Sequence, residues 1–170
     1  IDHGVKKILV SSPHCYHTFK NEYPDFRVNF EIVHISQFIH QLLQEGRLEI
    51  KGEYAKKVAY HDPCYLGRHN GVYDEPRAAL QQAPGLELLE LPDSRQDSLC
   101  CGGGGGRIWM ETPKGERFCD IRVQQALDQG AQVLVTACPY CISNFEDSKL
   151  TLDVVDDIEI KDLTEIIQEV

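Results

Sequence analysis

The stretch "QVLVTACPYCISNFEDS", Gln132 to Ser148, decides the fold. "QVLVTA" is an almost unbroken apolar run and reads as a buried strand. "CPYCISNFEDS" follows at once and opens a helix. A strand running straight into a helix is the unit from which parallel sheets are built. The same unit recurs near the start of the chain. With Cys15 placed on Cys141, Pro13 falls on Pro139 and Phe19 on Phe145, an offset of 126 residues at the cysteines. The strand "KILV" then falls on "QVLV", and "IVHISQFIHQLL" on "IEIKDLTEIIQE". Two copies of one strand-helix-strand-helix arrangement follow. The second is whole from about Val58 onward; the first is present only as its second half. A chain without an initiator Met fits a protein cut inside its first repeat.

Between these landmarks the pattern keeps alternating. Val5 to Val10 reads as a strand, and "SPHCYHTFKNEY" as a loop entering a helix with Pro13 in its first turn. "FEIVHI" is a strand. "SQFIHQLLQEG" is a helix with Ser36 as N-cap and Gly46 past its end. "KVAYHD" is a strand that runs into the turn-rich "PCYLGRHNGV". "DEPRAALQQAPG" is a helix capped by Asp74 and stopped by "APG". "LELLELP" is a strand, and a longer helix covers roughly residues 115–130. "IEIKD" and "LTEIIQEV" close the chain as strand and helix. The expected fold is α/β, with parallel strand-helix units in a pseudo-repeat.

Composition limits the function. The net charge of −10 disfavours nucleic acid and anionic membranes as direct partners. No apolar run approaches the ~20 residues of a membrane span, and the first residues do not read as a secretory signal. The seven cysteines are an odd number, and without a signal they point to metal or redox chemistry in a reducing, cytoplasmic setting.

Five of them form one pattern. Cys64 is followed by 35 residues, then Cys100-Cys101, then 36 residues, then Cys138-x-x-Cys141. Each group follows an expected strand. Loops after parallel strands gather at the carboxyl edge of a sheet, where α/β folds place ligands. Structural zinc takes four tetrahedral ligands, often from two Cys-x-x-Cys pairs. Here there is one such pair, one vicinal pair and a single cysteine. Neighbouring thiolates can bind different irons, so a multi-iron cluster suits this set better. Zinc and incidental thiols remain the alternatives. Gly102, Gly103, Gly104, Gly105 and Gly106 follow the vicinal pair and leave bare backbone where a cluster, or a sulfur substrate, would approach.

"HDPCYLGRHNGVYDEPRAAL", "CCGGGGGRIWMETPKGERF" and "ACPYCISNFEDS" resemble the CCG-type cysteine-rich domain of heterodisulfide reductase catalytic subunits and related membrane-associated oxidoreductases. The resemblance implies a noncubane [4Fe–4S] cluster held by Cys64, Cys100, Cys101, Cys138 and Cys141, with zinc replacing it in some domain copies. It implies reduction of a disulfide in one-electron steps. It also implies redox partners, among them ferredoxin-like clusters, a flavoprotein and a membrane haem or quinone module, which would bring the domain to the cytoplasmic face of the membrane. A second reading is an electron relay between an electron-transfer flavoprotein and a quinone site. A third is a zinc-stabilised, non-catalytic domain. On this resemblance residues 1–50 are the second half of a degenerate first repeat and residues 57–170 a complete domain. Ser12 stands in the first repeat where the second has Cys138, so one cluster is expected. The exposed edge of the cut repeat is expected to self-associate.

The other polar residues carry weaker expectations. Cys119 reads as a buried structural thiol. His61 reads either as a tuning group or as an ordinary loop histidine. His14 and His17, beside Cys15, offer a small zinc site short of a fourth ligand. Arg107 is placed to balance charge or hold an anion, and Trp109 to pack. The glycine tract follows cysteines rather than a strand, which rules out a nucleotide loop.

Overall fold

The computed structural model describes residues 3–27 and 29–170. The elements run β1 (Lys7–Val10), α1 (Pro13–His17), β2 (Glu31–His34), α2 (Ile35–Gln44), β3 (Lys57–Tyr60), α3 (Asp74–Leu80), β4 (Glu87–Glu90), α4 (Phe118–Asp128), β5 (Val133–Thr136), α5 (Pro139–Leu152), β6 (Glu159–Asp162) and α6 (Leu163–Gln168). The strands form two sheets. β1 pairs with β2, and the larger sheet has the order β4-β3-β5-β6. Every pairing is parallel. β1 and β5 match at an offset of 126, one residue further on than "KILV" over "QVLV".

β5 is buried along its whole length, as its apolar run predicts for a central parallel strand. Its side chains alternate between two cores. Val133 and Val135 join Val58, Tyr60, Leu80, Leu163 and Ile166, together with Tyr16 and Ile39 from the first unit. Leu134 faces the other side, with Ala59, Val123, Ala126, Phe145, Ile158 and four cysteines. The sheet is thus covered on both faces, and the cysteines belong to one of its cores.

Two caps differ from expectation. His34, not Ser36, caps α2: its ring accepts from the Ser36 N–H while the Gln37 side chain answers the His34 N–H, a capping box. Asp162 and Glu165 build the same box at α6. Asp74 lies inside the first turn of α3, with Tyr73 at the cap position. There its charge still favours the helix N-terminus, and it pairs with Arg95. The helix expected from residue 115 begins at Phe118, because Gly115 takes a left-handed φ of +82° and gives its N–H to the Asp120 carboxylate.

Candidate metal centre

Three neighbouring strands of the larger sheet deliver the cysteines. β3 ends at Tyr60 and passes through His61, Asp62 and Pro63 to Cys64. β4 ends at Glu90 and leads by a long loop to Cys100 and Cys101. β5 ends at Thr136, and Cys138 takes the N-cap position of α5. All five thiols line one narrow cavity, together with His14, Tyr65, Gly104 and Tyr140. Cys101, Cys138 and Cys141 are buried, while Cys64 and Cys100 are half-buried; all are free thiols. The parallel order β4-β3-β5 brings together residues up to 77 positions apart in sequence.

The thiols also affect one another's charge. Hydrogen bonds from Cys101 and Cys64, with help from the Gly102 N–H at 3.3 Å, hold Cys100 well below the ordinary thiol range. The Cys141 thiol lowers Cys138 to about 5, assisted by His14 and by the N–H groups of Cys141 and Tyr140. Cys64, Cys101 and Cys141 are pushed up, first by hydrogen bonds to neighbouring thiols and then by burial. Five thiolates this close cannot coexist without added positive charge. The donor set therefore fits a cationic metal group, whose ligands must be deprotonated.

A buried polar frame holds the loops. Arg77 grips both oxygens of Asp62, at 2.7 and 2.8 Å, and also pairs with Glu90, joining the ends of β3 and β4. Asp62 Oδ2 also accepts from the Arg95 N–H at 2.7 Å. Arg122, wholly buried, donates to the Pro92 and Asp93 carbonyls and to Ser98 Oγ, and so fixes the approach to Cys100. Asn144 of α5 donates to the Cys101 carbonyl at 3.1 Å.

The glycine tract has several separate causes. Gly102, Gly105 and Gly106 take left-handed φ, which a side chain would strain. A Cβ on Gly103 would come 2.5 Å from Asn144 Nδ2 and would push that side chain aside, so this glycine answers to a protein contact. Only Gly104 has ordinary φ, open space and a place on the cysteine cavity.

The remaining candidates disperse. Cys119 packs in the core, as expected. Cys15 is exposed, and His17 Nδ1 contacts Asn21 and Asn70, so no zinc site gathers there. His14 instead crosses to the cysteine cavity and stacks against Tyr65 at 4.3 Å between ring centres. Trp109 does not pack; it is 86% exposed. Arg107 lies over the Phe118 ring at 5.7 Å. Asn144, Arg77 and Arg122 escape sequence reasoning. The partners that tie them to the site lie 13 to 61 residues away, and no local spacing marks those.

Residues 58–146 match the family described as "CCG: Cysteine-rich domain". The chain belongs to this cysteine-rich family. Among its relatives, a "Probable iron-sulfur-binding oxidoreductase FadF" of Bacillus subtilis is 39% identical across 96% of this chain and 23% of that protein. An "EtfAB:quinone oxidoreductase" of Syntrophomonas wolfei is 36% identical across 98% of this chain and 24% of its own length. A subunit of the dihydromethanophenazine:CoB–CoM heterodisulfide reductase from Methanosarcina barkeri is 34% identical across 98% of this chain and 41% of its own length. This CCG chain thus spans from about a quarter to two fifths of such relatives.

Proposed function

We propose that Cys64, Cys100, Cys101, Cys138 and Cys141 hold an iron–sulfur cluster of the noncubane [4Fe–4S] type in an oxidoreductase that reduces disulfides. The observation that carries this reading is the convergence of five free thiols, from three adjacent loops, on one cavity. Relatives named as an iron-sulfur-binding oxidoreductase and as part of a heterodisulfide reductase support it. When bound, such a cluster supplies one-electron steps to a sulfur substrate.

The chain's own residues have definable tasks. The Gly102 N–H and the first N–H groups of α5 donate to cysteine sulfur. They stabilise negative charge there, as helix N-termini do. Gly104 leaves the cavity wall without a side chain. Arg77, Asp62 and Arg122 keep the cysteine loops in register and limit what the site must reorganise on reduction. Converting a disulfide to two thiols takes two electrons and two protons. The electrons come from partner redox subunits or domains, as the names of relatives support. No helix among the described residues is long and apolar enough to cross a membrane. Partner domains would supply attachment to the membrane face; one relative is named a "Probable membrane-anchored ferredoxin".

We also assign residues 57–170 as the cluster-bearing domain and 1–50 as the second half of a degenerate repeat. The matching β1-β2 and β5-β6 units and their paired capping boxes support this division.

The second reading, an electron relay toward a quinone site, is favoured by the quinone oxidoreductase relative. Anaerobic assays of the full-length protein separate the two. Oxidation of a reduced electron donor that depends on an added disulfide and yields two thiols per two electrons supports reductase activity. Donor oxidation with quinone alone, at a rate unchanged by disulfides, supports the relay.

A further inference from the structure

His61 sits directly after β3 and is wholly buried. Its backbone N–H donates to Val135 O at 2.9 Å, and its backbone carbonyl accepts from Thr136 Oγ1 at 3.2 Å. Phe145 meets the ring edge-on, with centres 4.9 Å apart. One ring nitrogen lies within 4.8 Å of the Cys101 and Cys141 sulfurs. The two nitrogens have different surroundings. Nδ1 receives Arg122 Nε at 3.4 Å. Nε2 is buried and has no partner. A buried polar atom left alone costs stability, so it calls for an explanation.

Arginine can only donate. The Nδ1 that faces it must therefore carry a lone pair, which puts the single proton of neutral imidazole on Nε2. A nitrogen that carries a proton cannot ligate a metal. It can donate to sulfur.

We infer that the ring nitrogen near the Cys101 and Cys141 sulfurs is Nε2, turned there because Nδ1 faces Arg122, and that His61 is not a ligand of the centre but a buried donor to its sulfurs once the metal group is bound. The part of this inference that concerns redox rests on the cluster reading above. The tautomer does not. A donor to cluster sulfur stabilises the more negative, reduced state and raises the reduction potential. His61 is thus a positioning and tuning residue.

The test has two arms. In metal-free protein, long-range proton–nitrogen correlation spectra of 15N-labelled histidine should show a protonated Nε2 and a bare Nδ1 for His61. A protonated Nδ1 overturns the inference. In anaerobically iron-loaded protein, His61→Asn keeps an acceptor for Arg122 and removes the donor at sulfur. It should retain wild-type iron per chain while the midpoint potential moves to a more negative value. His61→Gln, whose amide reaches the Nε2 position, should move it back. Iron loss in His61→Asn as deep as in Cys141→Ser would make His61 a ligand, and an unchanged potential would make it filler; either overturns the inference. If the wild type takes up no iron, the cluster reading fails while the tautomer arm still decides the role of Arg122. If neither variant folds, the tautomer arm alone decides.

Discussion

Gly103 and Gly104 are adjacent in sequence and answer to different constraints. Adding a methyl group at Gly103 drives it to 2.5 Å from Asn144 Nδ2, the group that holds the Cys101 carbonyl. Overpacking of this kind costs about 1–3 kcal/mol. Gly103→Ala is expected to lower thermal stability by that order even without metal. Asn144→Ala should recover part of the loss in a double-mutant cycle, because the clashing partner is gone. Strictly additive effects would contradict the contact. A methyl group on Gly104 would meet no other part of the protein within 4 Å, and this residue faces the cysteine cavity. Gly104→Val should therefore leave the melting temperature of metal-free protein nearly unchanged and reduce iron uptake. If Gly104→Val binds iron as the wild type does, the bare backbone there has no role in the site.

Among the elements, α2 offers a pH test. His34 caps it through Nδ1 while fully buried, with Ser36 Oγ, the Ser11 carbonyl and the edge of the Tyr16 ring around it. Burial lowers its pKa to about 4 from 6.5. The folded protein thus resists a proton that the unfolded chain accepts. Nothing is lost above about pH 6.5, and stability falls as pH drops from there toward 4, by about 3 kcal/mol at most. His34→Asn, which keeps an acceptor for the cap, should flatten part of this acid limb in urea titrations at several pH values. An identical slope in the variant would contradict the assignment. His34 also shows what the sequence could and could not reveal. Strand and helix order were legible because apolar runs and turn residues are local signals, and the five cysteines were legible from their spacing. Caps were misplaced because Ser36 and Asp74 are the commoner cap residues, and nothing local announces a histidine cap. The frame of Arg77, Asp62, Arg122 and Asn144 arises only when distant loops meet, so it left no pattern to read.

Across the whole molecule, the two units are alike in plan but not in surroundings. β5 has β3 on one side and β6 on the other, whereas among the described residues no strand covers the outer edge of β1. Leu9 on β1 and Val5 just before it are nearly half exposed. An open parallel edge with apolar neighbours invites pairing. The isolated chain is expected to self-associate in sedimentation as its concentration rises, and Leu9→Lys should shift it toward monomer. A wild type that stays monomeric at high concentration would contradict this. The first unit nevertheless contributes to the centre, because His14 reaches the cavity wall beside Cys138. The central claim is that the five cysteines serve one cluster. Its most direct test is iron and acid-labile sulfide analysis, with electron paramagnetic resonance, on anaerobically reconstituted wild type and on the five single Cys→Ser variants. The account predicts about four irons per wild-type chain, with iron lost or the resonance altered in each of the Cys64, Cys100, Cys101, Cys138 and Cys141 variants, and no change for Cys119→Ser. One zinc and no iron in the wild type, or full iron with an unchanged resonance in any of the five variants, would contradict it.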